Sequence, residues 1–311
     1  MNDFQRYVAE EYVEQYRDGH MSRRSMLRHV GLIAGSAALA VGFLKELGVE
    51  TTAEEILAAE PEPAPVSQRS AVTVAPDDPA IRAGWIVFPA SDGAPIIGYL
   101  ARPAALGAAP GIVVVHQNRG PNEHILDVAR RFARDGFAAL AVDLLSRSGG
   151  LGAIVDPAQV GALSTGGPPE RNTADLMAGS AALVARSDVV PGGIGVTGYC
   201  FGGGLVWRLA TTDPNVVAAV PYYGIAPPLD GVPNIRGPVL AIYAGNDERL
   251  NSTWPALRDA LDSAGKSYEV MVYPDAMHAF HDDTGPAYKE DAARDAYART
   301  VAWFRQYLPQ A

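Results

Sequence analysis

The chain has a single cysteine, Cys200, and it stands among glycines in Gly198-Tyr199-Cys200-Phe201-Gly202-Gly203-Gly204. One thiol cannot close an intramolecular disulfide, so Cys200 is a buried hydrophobe, a redox sensor or a nucleophile. Residues 198–202 read glycine, any residue, nucleophile, any residue, glycine, the pattern of a sharp strand-to-helix turn. Flanking glycines let neighbouring backbone and the following helix approach without Cβ clashes. A thiol in such a turn sits above the sheet at a helix N-terminus, where the helix dipole favours the thiolate. The same glycines would also suit plain helix packing around a small buried residue.

Candidate partners decide between these readings. A nucleophilic thiol needs a base for its proton and an acid that holds the base in one tautomer, in the chain order nucleophile, acid, histidine. Asp247 lies just after the strand-like run 238–245, and His278 lies in a short loop after the run 267–274. Both fall at C-terminal strand ends, the edge where parallel sheets bind ligands. Of the other histidines, His20 and His29 belong to the N-terminal segment and His124 opens a helix. His116 ends a strand beside the presumed site, and His281 is close enough to His278 to be a neighbour of the pocket; with Gln117, Arg147 and Tyr199 they are the candidate pocket residues. Glu248 would point away if Asp247 points inward, and Asp275 is too near His278 in sequence to orient it. For an oxyanion, the expected backbone N–H donors are Phe201, after the nucleophile, and Asn118, in His116-Gln117-Asn118-Arg119-Gly120.

The elements that would position these groups alternate. Strand-like runs at 111–117, 137–145, 192–200, 238–245 and 267–274 alternate with helical patterns at 122–136, 171–187, 201–212, 252–265 and 288–308. That alternation predicts an α/β domain with a mostly parallel sheet and helices on both faces. The glycine-rich stretch 146–170 is expected to border the pocket as a long loop, and its small, apolar side chains suit a neutral acyl substrate.

Composition narrows the function classes. Over 311 residues, 48% are hydrophobic and 19% charged, as in a globular protein with a well-buried core. Acidic residues outnumber basic ones by 35 to 25, a net charge of −10, which disfavours nucleic acid and anionic membranes as partners. Small molecules fit better. Residues 192–204 hold a glycine spacing reminiscent of a dinucleotide loop, but such a loop belongs at the first strand, so no nucleotide, metal or other cofactor is expected.

The N-terminus differs from the rest. Ser22, Arg23, Arg24, Met26 and Leu27 precede a mildly apolar run at 30–43, in the order of a twin-arginine export signal. The run is too short for a stable membrane span. An acidic stretch over residues 1–20 is long for a signal, and an N-terminal helix pair packed on a cytoplasmic protein is the alternative. Alternating prolines at 60–70 predict an extended linker.

Taken together, the motifs "GYCFGGG", "VVVHQNRGPNEHILDVARRFARDGFAALAVDLLSR", "GNDERLN" and "YPDAMHAFHDDTGPAY" resemble the dienelactone hydrolase family of α/β-hydrolases, in particular a subgroup with a twin-arginine-like N-terminal segment. The similarity runs over nearly all of residues 71–311. It implies three regions: an N-terminal helical segment at 1–59, a proline-rich linker at 60–70 and an α/β-hydrolase domain at 71–311. It further implies Cys200 as nucleophile, His278 as base and Asp247 as its orienting acid, opening an ester or lactone through an acyl thioester that water hydrolyses. Two positions depart from the pattern. The family's enol-lactone hydrolases carry, at the position of Gln117, a glutamate that helps switch the nucleophile's protonation. A neutral amide cannot do so, which predicts a Cys200 either permanently ion-paired with His278 or poorly activated. Arg147 matches one of two arginines that grip a substrate carboxylate, but Asp282 stands where the second is expected, and an acid there would repel an anionic substrate. The other function classes are a non-catalytic binding protein on this fold, a peptidase-type acyl hydrolase and a redox-sensing thiol protein.

Overall fold

In a computed structural model, residues 1–61, 73–105 and 107–310 are described. Four helices come first: α1 (Asp3–Arg17), α2 (Arg23–Ala34), α3 (Ala37–Glu46) and α4 (Ala53–Leu57). Helix α1 starts in a capping box, with the Asn2 side chain accepting from the Gln5 N–H at 2.8 Å and the Gln5 side chain accepting from the Asn2 N–H at 2.9 Å. Phe4, Tyr7, Val8 and Tyr12 recur at helical spacing and are buried. The twin-arginine-like stretch forms α2, which ends at Gly35 in the left-handed conformation (φ 74°), and α3, set at 115° to α2. Among the described residues no single helix is long and apolar enough to cross a membrane, although this bent pair passes the same test of length and composition together. Most of the expected linker, and the expected domain start at Ala71, lie outside the described residues.

The sheet follows, with strands β1 (Ile81–Pro89), β2 (Pro95–Pro103), β3 (Ala109–Val115), β4 (Ala138–Val142), β5 (Val189–Tyr199), β6 (Val216–Tyr222), β7 (Val239–Asn246) and β8 (Tyr268–Met277). Between and after them lie α5 (Glu123–Arg134), α6 (Gln159–Thr165), α7 (Pro169–Val184), α8 (Phe201–Thr212), α9 (Glu248–Asn251), α10 (Trp254–Ser263) and α11 (Glu290–Tyr307). The strand order is β1-β2-β4-β3-β5-β6-β7-β8. Pairs β1–β2 and β2–β4 are antiparallel and all others parallel, so the α/β sheet with a mostly parallel centre is present. Strands β3 and β4 are buried at every residue, which is why they read as unbroken apolar runs. Strands β1, β2 and β6 were not among the expected elements. The first two form an antiparallel hairpin outside the strand–helix alternation.

The stretch 146–170 differs from expectation. It contains α6 and packs beneath the N-terminal helices, where a Cβ on Gly161 would come 2.9 Å from the Tyr12 hydroxyl. Asn2 donates its side-chain amide to the carbonyls of Thr165 and Gly167 at 2.9 and 3.1 Å, and Arg28 of α2 pairs with Asp156. Helices α1 and α2 therefore cover this stretch.

Candidate active site

Cys200 occupies the turn between β5 and α8 with φ 57° and ψ −119°, a left-handed conformation rare for a residue with a Cβ. Its N–H donates to the Tyr222 carbonyl at 3.1 Å, and its own carbonyl accepts from Gly204 at 3.1 Å, starting α8. A Cβ on Gly202 would lie 2.4 Å from the Val115 carbonyl oxygen, and one on Gly203 would lie 2.2 Å from the Tyr222 carbonyl oxygen. Only glycine permits this approach of α8 to the ends of β3 and β6.

Asp247, just past β7, and His278, just past β8, meet as the chain order predicted. Nδ1 of His278 and Oδ2 of Asp247 are 2.6 Å apart, and the other carboxylate oxygen accepts from the Leu250 N–H at 3.4 Å. Burial disfavours charge on both partners, yet each offsets this for the other. Asp247 is held below the ordinary carboxylate range, and His278, with Cys200 adding to the effect of Asp247, well above the ordinary histidine range. Nε2 of His278 is buried and has no hydrogen-bond partner among the described residues, and a ring nitrogen of His278 lies within 4.8 Å of Cys200 Sγ.

The thiol has another partner. Sγ donates to Oε2 of Glu11, on α1, at 2.7 Å. The opposite oxygen of that carboxylate accepts from Gln15 Nε2 at 2.9 Å and from Asn118 Nδ2 at 3.3 Å. The Tyr7 hydroxyl, one turn earlier on α1, lies 3.7 Å from Sγ and 3.2 Å from the Tyr223 carbonyl oxygen. The guanidinium of Arg249 sits over the Tyr7 ring at 4.6 Å and pairs with Glu14 at 3.1 Å, tying α1 to α9. Burial first, and then the charge of Glu11, push the Cys200 thiol above its ordinary range, with His278 pulling the other way. Sequence reasoning missed Glu11. Its one signal is position: an acid four residues after Tyr7 and seven after Phe4, on the apolar stripe of α1.

A cleft of about 220 Å³ opens beside this group, lined among others by Glu11, Gln117, Asn118, Asp247, His278 and Asp282. Cys200 is 1% exposed and lies behind that wall. The stretch 146–170 contributes nothing to the lining; Glu14, Gln15, Asp18 and His20 of the N-terminal segment are there instead.

Four expected pocket residues lie elsewhere. His116 is fully buried, donating from Nδ1 to the Gln117 carbonyl at 2.6 Å and accepting at Nε2 from the Leu144 N–H at 3.2 Å, so it ties the ends of β3 and β4 together. Arg147 is held by Asp175 at 2.7 Å and Asp92 at 2.8 Å, away from the cleft. Tyr199 and His281 stack on each other at 4.8 Å within a buried aromatic cluster, where burial keeps His281 well below the ordinary histidine range. Gln117 does reach the cleft, but its amide donates to Asp282 at 2.5 Å. Despite burial, Asp282 is held below the ordinary carboxylate range, chiefly by His124 and Arg119, so the cleft wall is anionic there.

Among the described residues, two side-chain trios have donor atoms close enough for a metal ion: Glu11, Cys200 and His278, and His124, Asp282 and Asp283. In the first, the thiol proton already bridges Cys200 and Glu11. In the second, Asp283 is already paired with both His124 and the Arg131 guanidinium, which supplies the positive charge a cation would bring.

Comparison with known proteins places this arrangement in context. The model of the dienelactone hydrolase family matches residues 96–308. A candidate carboxymethylenebutenolidase of Methylorubrum extorquens is 35% identical over 247 residues, 76% of this chain and 84% of the relative. One from Escherichia coli K12 is 34% identical over 258 residues, 79% of this chain and 94% of the relative. The crystal structure of a candidate dienelactone hydrolase from Klebsiella pneumoniae superposes with a TM-score of 0.67 at 34% identity, covering 73% of this chain and all of that one.

Proposed function

Because the chain belongs to the dienelactone hydrolase family, a family of α/β-hydrolases, we propose that it cleaves a carboxylic ester or lactone through Cys200, His278 and Asp247. The observation that carries this reading is the 2.6 Å bond from Asp247 to His278, whose free Nε2 faces the thiol raised on the β5–α8 turn. Asp247 holds Nδ1 protonated and so leaves Nε2 able to take the thiol proton. The thiolate adds to the acyl carbonyl, whose developing oxyanion lies against the backbone N–H groups of Phe201 and Asn118. The imidazolium then protonates the departing alkoxide, leaving an acyl thioester on Cys200. A water deprotonated by His278 hydrolyses it and restores the thiol. No cofactor enters the scheme.

The substrate is a neutral acyl compound. Glu14, Asp18, Glu248 and Asp282 border the cleft, and Arg147, the residue expected to grip a carboxylate, is committed to Asp92 and Asp175. The test is a stopped-flow trace with p-nitrophenyl acetate: a burst near one equivalent per chain, absent in Cys200→Ala, is expected. Equal slow rates in both proteins would instead favour a binding protein on this fold, the reading suggested by a thiol that is 1% exposed.

The pair Arg23 and Arg24 keeps twin-arginine export as a proposal, here in a form where the segment is retained, since α1 reaches Cys200. N-terminal sequencing of protein from fractionated cells tests it; a chain starting beyond Glu11 would refute retention.

A further inference from the structure

The bond between Glu11 and Cys200 has no place in that reaction scheme. In an empty triad the thiol would be expected to point at its base, yet the Cys200 proton goes to Glu11 while Nε2 of His278, 3.9 Å from the same carboxylate oxygen, is left without a hydrogen bond. The carboxylate is held for this task. Gln15 and Asn118 both donate to its far oxygen, so that with the thiol it accepts three hydrogen bonds. Helix α1 that carries it is anchored by the Glu14–Arg249 pair and by the apolar face of Phe4, Tyr7 and Val8.

We propose that Glu11 guards the nucleophile: carried into the site by the N-terminal helix, it keeps Cys200 a thiol in the empty enzyme and screens it from the cleft. This deepens the hydrolase reading and rests on Cys200 being its nucleophile. A negative charge 2.7 Å from Sγ penalises a thiolate more than it favours an imidazolium whose nearest nitrogen is 3.9 Å away, so it works against the reactive ion pair. When the acyl group enters and separates Glu11 from Sγ, the S–H bond breaks toward Nε2 of His278, an N–H bond forms there, and the thiolate is free to attack. The N-terminal segment is thus a working part of the site. The other ionisable groups acting on the thiol are Tyr7, Tyr12, Tyr223 and His278, with Arg249 behind Tyr7 and Asp247 behind His278, and Glu11→Gln leaves all of them in place.

The experiment is the pH dependence of iodoacetamide alkylation of the full-length chain, in which Cys200 is the sole thiol. Glu11→Gln keeps the size of the side chain and removes its charge. Its alkylation midpoint is expected to fall by about one unit or more, with the rate at pH 7 rising roughly tenfold or more. Glu11→Asp, with the charge drawn back by one methylene, should fall between the two, and it carries the test if the glutamine variant melts early. A midpoint unchanged from wild type in a folded variant overturns the proposal. A burst that persists in Cys200→Ala overturns the hydrolase reading itself, which separates the two failures.

Discussion

Glu11 Oε2 and Cys200 Sγ lie 2.7 Å apart although 189 residues separate them in the chain. At position 117 a neutral amide stands where the family's enol-lactone hydrolases carry a glutamate. A carboxylate is in fact present, supplied by the first helix, while Gln117 is spent on Asp282. Of the two states expected for the thiol, a permanent ion pair with His278 and a poorly activated nucleophile, this arrangement agrees with the second, because burial and the Glu11 carboxylate push the thiol above its ordinary range.

Asp247 holds His278 by a bond of 2.6 Å. Replacing it with asparagine keeps the shape but lets the amide stabilise the wrong tautomer and removes the charge that favours the imidazolium. A fall in acylation rate on the order of 10³ to 10⁴ is expected, with little change in KM, measured from burst kinetics. A loss of less than about tenfold would exclude Asp247 from the role.

The same pair makes a signed prediction for stability. His278 is raised well above its ordinary range, so its contribution is complete below the unfolded histidine pKa, about 6.5, and is lost as pH rises through the folded value. Asp247 is depressed, so its contribution is lost as pH falls through its folded value. The Tm difference between wild type and His278→Asn should therefore be widest in the mildly acidic range, between about pH 4 and 6.5, and narrow as pH rises through neutrality into the alkaline range. A gap that widens there contradicts the pairing.

Arg147 joins Asp92 to the buried Asp175 and stays out of the cleft. Arg147→Met leaves the Asp175 carboxylate buried without its partner, which should cost about 1–3 kcal/mol in denaturant unfolding. Its kcat/KM for a neutral ester should stay within about twofold of wild type. A selective loss on carboxylate-bearing esters would return Arg147 to the pocket.

Acids around the cleft set the preferred charge of the substrate. Adding a carboxylate to a test ester, at matched leaving group, should lower kcat/KM by roughly tenfold, an effect of about 1.4 kcal/mol, and added salt should shrink the difference. An increase would mean that Arg119 or Arg249, both at the cleft, governs recognition instead.

What was legible in the sequence was local or periodic. The glycines around Cys200 are forced by backbone contacts within a few ångströms, so the turn could be read from seven residues. Runs such as Val113-Val114-Val115 are apolar because both faces of their strands are buried, which marks a central parallel sheet without any knowledge of its partners. Asp247 and His278 could be placed because each follows a readable strand, and strand ends share one edge. Where the sequence misled, the deciding fact was the docking of one segment on another. Helices α1 and α2 settle over residues 146–170, so that stretch lies beneath helices and gives none of the cleft wall. His116, Tyr199 and His281 looked like pocket residues by proximity in sequence, but their side chains turn into the protein's interior. Arg147 is drawn off by Asp92 and Asp175, whose positions relative to it are set by the sheet and by α7. Glu11 itself is an ordinary acid in an acidic helix until α1 packs. Its apolar stripe fixes which face turns inward, and only the tertiary fold determines that this face meets Cys200.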